Sequence, residues 1–138
     1  MTPQQKNIVK SLIAVAWADG KLEQIESGVI EGLLCGFDAS DAEERELLDY
    51  ARQRRTLSED LPLSELRRDD RELVLSNAAL IIQADGKKTR GELQLLEQLS
   101  TLLGFSDAEA RAILSSSLAA KVGWGDSADA EKGEDLRD

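Results

Sequence analysis

Two stretches of this chain repeat one pattern: residues 8–26 read IVKSLIAVAWADGKLEQIE, and residues 74–92 read VLSNAALIIQADGKKTRGE. Each stretch opens with a strongly apolar run, stops at Ala-Asp-Gly-Lys, and carries a glutamate seven positions after the aspartate. A run that is apolar on nearly every side predicts a helix buried all round. The glycine after the aspartate predicts the end of that helix, because glycine readily adopts the left-handed conformation found at helix ends.

The repeat continues beyond this motif. A leucine-rich helix follows each copy and ends near Gly-Phe, and a serine with a glutamate three positions later predicts the start of another helix. These landmarks are Gly36-Phe37, Ser40 and Glu43 in the first half, and Gly104-Phe105, Ser106 and Glu109 in the second. In the first half the leucine-rich segment is predicted as one amphipathic helix that carries Leu22 and ends at Gly36.

Together these signals predict an all-α fold. We expect a pseudo-two-fold bundle of about six to seven helices, built from two three-helix repeats and with the first helix of each repeat at its centre. The predicted domain covers residues 1–120, with repeats at about 3–55 and 64–120. Residues 52–71 form the predicted joint, with a short helical turn after Ser58 or Ser64.

The end of the chain differs in composition from the rest. Residues 121–138 are small, polar and acidic, which predicts a flexible tail because such a segment buries little apolar area. Trp124 lies between two glycines in this tail. Two interpretations are open for it, an incidental tryptophan and a docking residue, and the composition of the tail favours the first.

Composition excludes several classes of function. The net charge of −10 argues against binding to nucleic acid or to anionic membrane surfaces, and the apolar runs are too short to insert into a bilayer. The chain has no histidine, which excludes a serine-histidine triad and histidine-ligated zinc. Cys35 is predicted to be a small buried thiol. No leader pattern opens the sequence, so a cytoplasmic location is expected.

The aspartate and glutamate of each motif have the spacing of the second half of an EF-hand calcium loop. A full loop also needs oxygen ligands two and four positions before the aspartate. Those positions hold Trp17 and Val15 in one copy, and Gln83 and Ile81 in the other. Neither copy is therefore an EF-hand.

Two interpretations of the four carboxylates are open. In the first, Glu26 and Glu92 are helix caps that satisfy backbone amides in the first turn of the next helix. In the second, both pairs meet near the pseudo-two-fold axis and form a hard-oxygen site for Ca²⁺, Mg²⁺ or Mn²⁺. The candidate metal ligands are Asp19, Glu26, Asp85 and Glu92.

At these motifs the chain resembles the TerB family, small helical proteins of bacterial tellurite-resistance operons. Related domains begin some membrane-anchored DnaJ-like co-chaperones. The resemblance covers about residues 5–118; it departs from the family at Glu23, where a serine or threonine is usual. It rests on Ala18-Asp19-Gly20 with Glu26, Ala84-Asp85-Gly86 with Glu92, and Leu103-Gly104-Phe105-Ser106 with Glu109. It implies an acidic face, divalent-cation binding by the four carboxylates, and a cytoplasmic stress-response complex with a membrane-associated partner.

The leading hypothesis is a non-enzymatic, divalent-cation-binding adaptor in a bacterial stress-response complex of the tellurite-resistance type. The alternative is a protein–protein interaction module of the co-chaperone type with no metal dependence. In that case Arg52, Arg54 and Arg55 are available to dock an acidic partner, although cations also suit the negative C-terminal end of a helix. A metal-dependent hydrolase is a third hypothesis, disfavoured because no histidine or phosphate-binding loop accompanies the carboxylates.

Overall fold

The computed structural model describes residues 1–83 and 90–121, with side chains described as far as Ser115. Within these ranges the chain forms eight α-helices and one 3₁₀ turn at Leu63–Glu65, with no strand. The helices are α1 (Pro3–Asp19), α2 (Glu23–Ser27), α3 (Val29–Gly36), α4 (Asp41–Ala51), α5 (Leu57–Asp60), α6 (Arg68–Ile82), α7 (Arg90–Leu102) and α8 (Asp107–Lys121). The predicted all-α bundle is confirmed, but the single helix that was expected after the first motif is divided into two helices, α2 and α3.

The core lies between α1 and α6, the first helix of each half, which contact each other more extensively than any other described pair. The placement of these two helices at the centre is thereby confirmed. Both helices carry side chains that are fully excluded from solvent, and burying one such leucine or isoleucine contributes about 1.5–3 kcal/mol. They include Leu12, Ile13 and Val15 on α1, and Val74, Leu75, Ile81 and Ile82 on α6. The pseudo-two-fold relation between the repeats stays a prediction.

The starts of α1, α4 and α8 carry capping boxes, and those at Ser40 and Ser106 were predicted above. The Thr2 hydroxyl accepts a bond from the Gln5 amide at 3.1 Å, and the Gln5 side chain returns to the Thr2 amide at 2.9 Å. The same reciprocal pairs form at the starts of α4 and α8, between Ser40 and Glu43 and between Ser106 and Glu109. At the end of α1, Gly20 takes the predicted left-handed conformation, with φ of 75°.

The helix predicted after the first motif is interrupted at Gly28, which separates α2 from α3. The side-chain oxygen of Gln24 accepts a hydrogen bond from the Val29 amide at 2.8 Å and so caps α3. A Cβ at Gly28 would collide with the Gln24 side chain and would lie 2.8 Å from the Gln24 Cα. Glycine permits this break, because the Gln24 side chain and backbone occupy the space that a Cβ at position 28 would need.

The joint between the halves contains two short helical turns, α5 and the 3₁₀ turn, which begin at Leu57 and Leu63 and not after Ser58 or Ser64 as predicted. The guanidinium of Arg71 connects this joint to the rest of the molecule through hydrogen bonds. It donates to the carbonyl oxygens of Leu63 at 2.7 Å, Leu66 at 3.2 Å and Leu103 at 2.9 Å. One side chain therefore connects the joint and the start of α6 to the C-terminal end of α7.

The structure also bears on the predictions for Cys35, for membrane insertion and for the tail. Cys35 is exposed, so the prediction of a buried thiol is wrong: its side chain lies on the outer side of α3, next to the buried Leu34. Among the described helices, none is long and apolar enough to cross a membrane. The predicted tail at 121–138, including Trp124, lies outside the described residues except for Lys121, the last residue of α8.

Candidate functional site

The two halves meet at the ammonium group of Lys21, the lysine of the first motif. Its Nζ donates to the Asp19 carboxylate at 2.9 Å, to the carbonyl oxygen of Ile82 at 2.9 Å, and to the Glu92 carboxylate at 3.3 Å. Asp19 ends α1, Ile82 ends α6, and Glu92 lies in the first turn of α7. We call Asp19, Lys21, Glu92 and the Ile82 carbonyl the lysine cluster.

Local backbone geometry places Lys21 in this position. The left-handed Gly20 reverses the chain at the end of α1, and the Lys21 amide then bonds back to the Ala16 carbonyl at 3.0 Å. Ile82 is the last residue of α6, where carbonyl groups lack a partner within the helix and carry partial negative charge. The lysine satisfies that carbonyl and pairs with both carboxylates, so its single positive charge offsets part of their negative charge.

The lysine cluster is largely excluded from water. The Lys21 side chain is 17% exposed, and those of Asp19 and Glu92 are each 10% exposed. Charges at such depth interact more strongly than surface pairs, so losing one partner costs more free energy than it would at the surface. The ion pairs of the cluster therefore stabilise the contact between the first motif and the second half of the chain.

The predicted metal ligands are not all brought together. Asp19 and Glu92 share Lys21, whereas Glu26 is exposed on α2 and lines a separate groove. Asp85 lies outside the described residues. Within the part of the chain that the structure describes, no group of three or more histidine, cysteine, aspartate or glutamate side chains has a metal-binding arrangement.

Glu26 and Glu92 were also interpreted as helix caps, and the structure shows where each lies relative to the start of its helix. Glu92 lies in the first turn of α7, as that interpretation requires, and its carboxylate binds Lys21 across the two halves. Glu26 lies in α2, whose N-cap residue Leu22 provides no side-chain cap. The paired-cap interpretation stays a prediction, and Glu92 has the additional role of binding Lys21.

An apolar groove lies beside the first motif, between the end of α1, α2 and the end of α4. Its volume is about 290 Å³. The groove is lined by Trp17, Leu22, Ile25, Glu26, Leu48, Ala51 and Arg52. Trp17 is half-buried, and its indole N–H donates to the Ala51 carbonyl at 2.8 Å, which joins the last turn of α1 to the end of α4. We call this surface the Trp17 groove.

The arginine cluster after α4 is mainly engaged within the chain. Arg55 donates twice to the Tyr50 carbonyl, at 3.0 and 3.1 Å, and its guanidinium lies 3.6 Å from the centre of the Tyr50 ring. Burial raises the pKa of the Tyr50 hydroxyl, and nearby Arg55 opposes that rise. Arg52 pairs with Asp49 at 3.1 Å. For Arg55, the interpretation as a cation at the negative end of a helix is therefore confirmed.

Sequence reasoning missed two parts of this region, the role of Lys21 and the Trp17 groove. A signal for the lysine was present, because both copies of the motif contain it, as Lys21 and Lys87. The groove had no comparable signal, since it depends on how α1, α2 and α4 pack together.

Comparison with known proteins returns nothing: no family model, no curated protein and no solved structure matches this chain.

Proposed function

We propose that this chain is a non-enzymatic adaptor that acts through protein–protein contacts. In this proposal Lys21 stabilises the contact between the two halves through the lysine cluster. The observation that supports an adaptor without metal dependence is the position of the Lys21 ammonium, bonded to Asp19, Glu92 and the Ile82 carbonyl at 2.9–3.3 Å. An ammonium in this position supplies one positive charge to the two carboxylates. In this proposal Lys21, and not a metal ion, is the cation that stabilises the lysine cluster.

A second candidate, the divalent-cation-binding adaptor, is favoured by the donor set of the same cluster. Two carboxylates and a helix-end carbonyl converge on one point, and these hard oxygen atoms are the ligands that Ca²⁺, Mg²⁺ and Mn²⁺ prefer. The residues that would hold the ion are Asp19, Glu92 and Ile82. The ion and the ammonium compete for the same oxygen atoms, so binding requires Lys21 to move away.

A cation titration separates the two candidates. Ca²⁺, Mg²⁺ and Mn²⁺ are added in turn to the ¹⁵N-labelled protein, and the amide signal of Gly20, between Asp19 and Lys21, is followed. The adaptor without metal dependence predicts no saturable shift in the wild type at millimolar cation. The Lys21→Met variant exposes the same oxygen atoms to the added ion, and Lys6→Met is the control because Lys6 pairs with Glu46 on the surface.

The outcomes are distinct. A saturable shift of Gly20 in the wild type that strengthens in Lys21→Met and disappears in Asp19→Asn would establish the cation-binding adaptor instead. Catalytic turnover that disappears in Asp19→Asn would contradict a non-enzymatic role altogether.

The resemblance to the TerB family extends the proposal to a biological setting. On that basis we propose a cytoplasmic adaptor in a bacterial stress-response complex with a membrane-associated partner. Growth of a deletion strain in tellurite, with and without the wild-type chain restored, tests this setting. Equal growth of both strains would remove tellurite stress from the proposal and would leave the adaptor role to be tested by binding.

A further inference from the structure

We infer that the Trp17 groove is a docking site for an amphipathic helix of a partner protein, and that Glu26 recognises a lysine or arginine on that helix. This inference rests on the proposed adaptor function and names the surface and the partner chemistry that it uses. Glu26 then has a role separate from that of Asp19 and Glu92, which the structure places in the lysine cluster.

The groove presents an apolar surface for such a partner. Leu22 is 40% exposed although it is a large hydrophobic residue, and it lies beside Trp17. The polar atom of Trp17 is already satisfied by the Ala51 carbonyl at 2.8 Å, so the rest of its ring can contact apolar side chains without cost to the indole N–H. Tryptophan is enriched among the residues that contribute most to binding at protein interfaces.

The size of the groove indicates the kind of occupant. A volume of about 290 Å³ is at the lower end of the range for small-molecule clefts, and it suits one or two large apolar side chains. An amphipathic helix presents such side chains three or four positions apart and places them in a groove between helices.

Charge at the edges of the groove specifies the polar face of the partner. Arg52, on one edge, is paired with Asp49 at 3.1 Å. Glu26 is exposed and makes no hydrogen bond or ion pair with any residue that the structure describes. Glu26, Asp49 and Arg52 together leave an excess of negative charge beside the groove, on a chain whose net charge is −10. A helix with lysine or arginine next to its apolar anchors is complementary to this surface.

The experiment measures binding of two synthetic peptides to the full chain by calorimetry. The probe is an amphipathic helix of leucine and lysine, and its counterpart has glutamate at every lysine position. In a Trp124→Phe background, Trp17 is the only tryptophan, so a change in its fluorescence locates the bound peptide. The leucine–lysine peptide is expected to bind and to change Trp17 emission, whereas the leucine–glutamate peptide is expected to do neither.

Variants test each part of the surface against a matched control. Glu26→Gln should weaken binding about fivefold, whereas Glu23→Gln, on the same helix but not lining the groove, should not. Leu22→Ser should weaken binding at least about tenfold, whereas Leu93→Ser, at another exposed leucine outside the groove, should not. Glu26→Lys should move the preference toward the leucine–glutamate peptide.

Equal weakening by Glu26→Gln and Glu23→Gln would show general attraction to an acidic protein and would overturn the inference. Binding that leaves Trp17 emission unchanged would overturn it as well, and so would the absence of binding. The cation titration of Gly20 reports on the lysine cluster and not on the groove. A chain that shows no cation shift and binds neither peptide would therefore lose this docking site while the adaptor without metal dependence stands.

Discussion

The ammonium of Lys21 and the carboxylate of Glu92 lie 3.3 Å apart although 71 positions separate the two residues in the chain. The lysine belongs to the first copy of the repeated motif and the glutamate to the second. The motif therefore does more than end a helix, since parts of its two copies make a direct contact between the halves. The stability of the bundle should depend on this contact.

We expect Lys21→Met to lower the free energy of unfolding by about 2 kcal/mol, because it leaves Asp19 and Glu92 largely buried without their shared cation. Urea unfolding followed by circular dichroism measures the change. The control is Lys6→Met, which removes the more exposed pair with Glu46 and should cost less than about 0.5 kcal/mol. Equal effects of the two variants would show that the lysine cluster is no stronger than a surface ion pair.

The energetic coupling within the lysine cluster can be measured directly. If Lys21 stabilises the protein through Glu92, the double variant Lys21→Met with Glu92→Gln should be more stable than the sum of the two single effects predicts. Additive effects would mean that the two side chains contribute independently in spite of their contact.

Two glycines in the same region should respond in opposite directions to alanine. Gly28→Ala should destabilise the protein, because the new Cβ collides with the Gln24 side chain and displaces the cap on Val29. Gly32→Ala should stabilise it by about 0.5–1 kcal/mol, since Gly32 lies inside α3 with nothing within 4 Å of the new Cβ. Thermal unfolding of both variants tests the pair, and a change of the same sign in both would contradict the proposed cause of the break between α2 and α3.

The parts of the fold that could be predicted from sequence depend on neighbouring residues. The capping boxes at Thr2, Ser40 and Ser106 involve residues three positions apart, so their pattern alone locates the helix starts. The buried central helices were predictable because they are apolar on nearly every side. The interruption at Gly28 was not predictable, because it depends on the position that the Gln24 side chain takes in the folded chain.

The candidate site was less predictable because it depends on contacts between distant residues. The sequence pattern grouped Asp19 and Glu26 as equivalent carboxylates, yet the first is in the lysine cluster and the second is at the edge of the Trp17 groove. The packing register of α1 against α6 and α7 decides which carboxylates pair with Lys21. The spacing of residues along the chain does not predict that register.

Stability in acid should depend in part on Glu43. Hydrogen bonding to the Ser40 amide, followed by the amino group of Met1, lowers the pKa of the Glu43 carboxyl from 4.5 to about 2. Because the folded pKa lies below the ordinary value, the ionised carboxylate contributes its full stabilisation above about pH 4.5. That contribution is lost as the pH falls toward about 2.

We therefore expect Glu43→Gln to reduce the loss of unfolding free energy between about pH 4.5 and about pH 2, because glutamine can still accept the bond from Ser40 but does not titrate. Denaturant unfolding at several pH values across that window measures the slope. Glu44→Gln removes one negative charge from the same first turn without removing the cap, and it should keep the wild-type slope. If the two variants had equal slopes, the acid sensitivity would come from net charge and not from the cap.

Among the arginines that the structure describes, we expect substitution of Arg71 to lower the free energy of unfolding most, because its guanidinium satisfies three backbone carbonyls at once. Arg71→Met should lower the free energy of unfolding by about 2–3 kcal/mol, since hydrogen bonds from charged groups to carbonyls that are partly shielded from water are stronger than average. Arg71→Lys should recover only part of this loss, because an ammonium is a point charge and cannot reproduce the planar geometry of the guanidinium. Arg45→Met, at an exposed position on α4, is the matched control and should change the free energy by less than about 0.5 kcal/mol. Full recovery by lysine would mean that charge alone, and not the three directed bonds, connects the joint to α7.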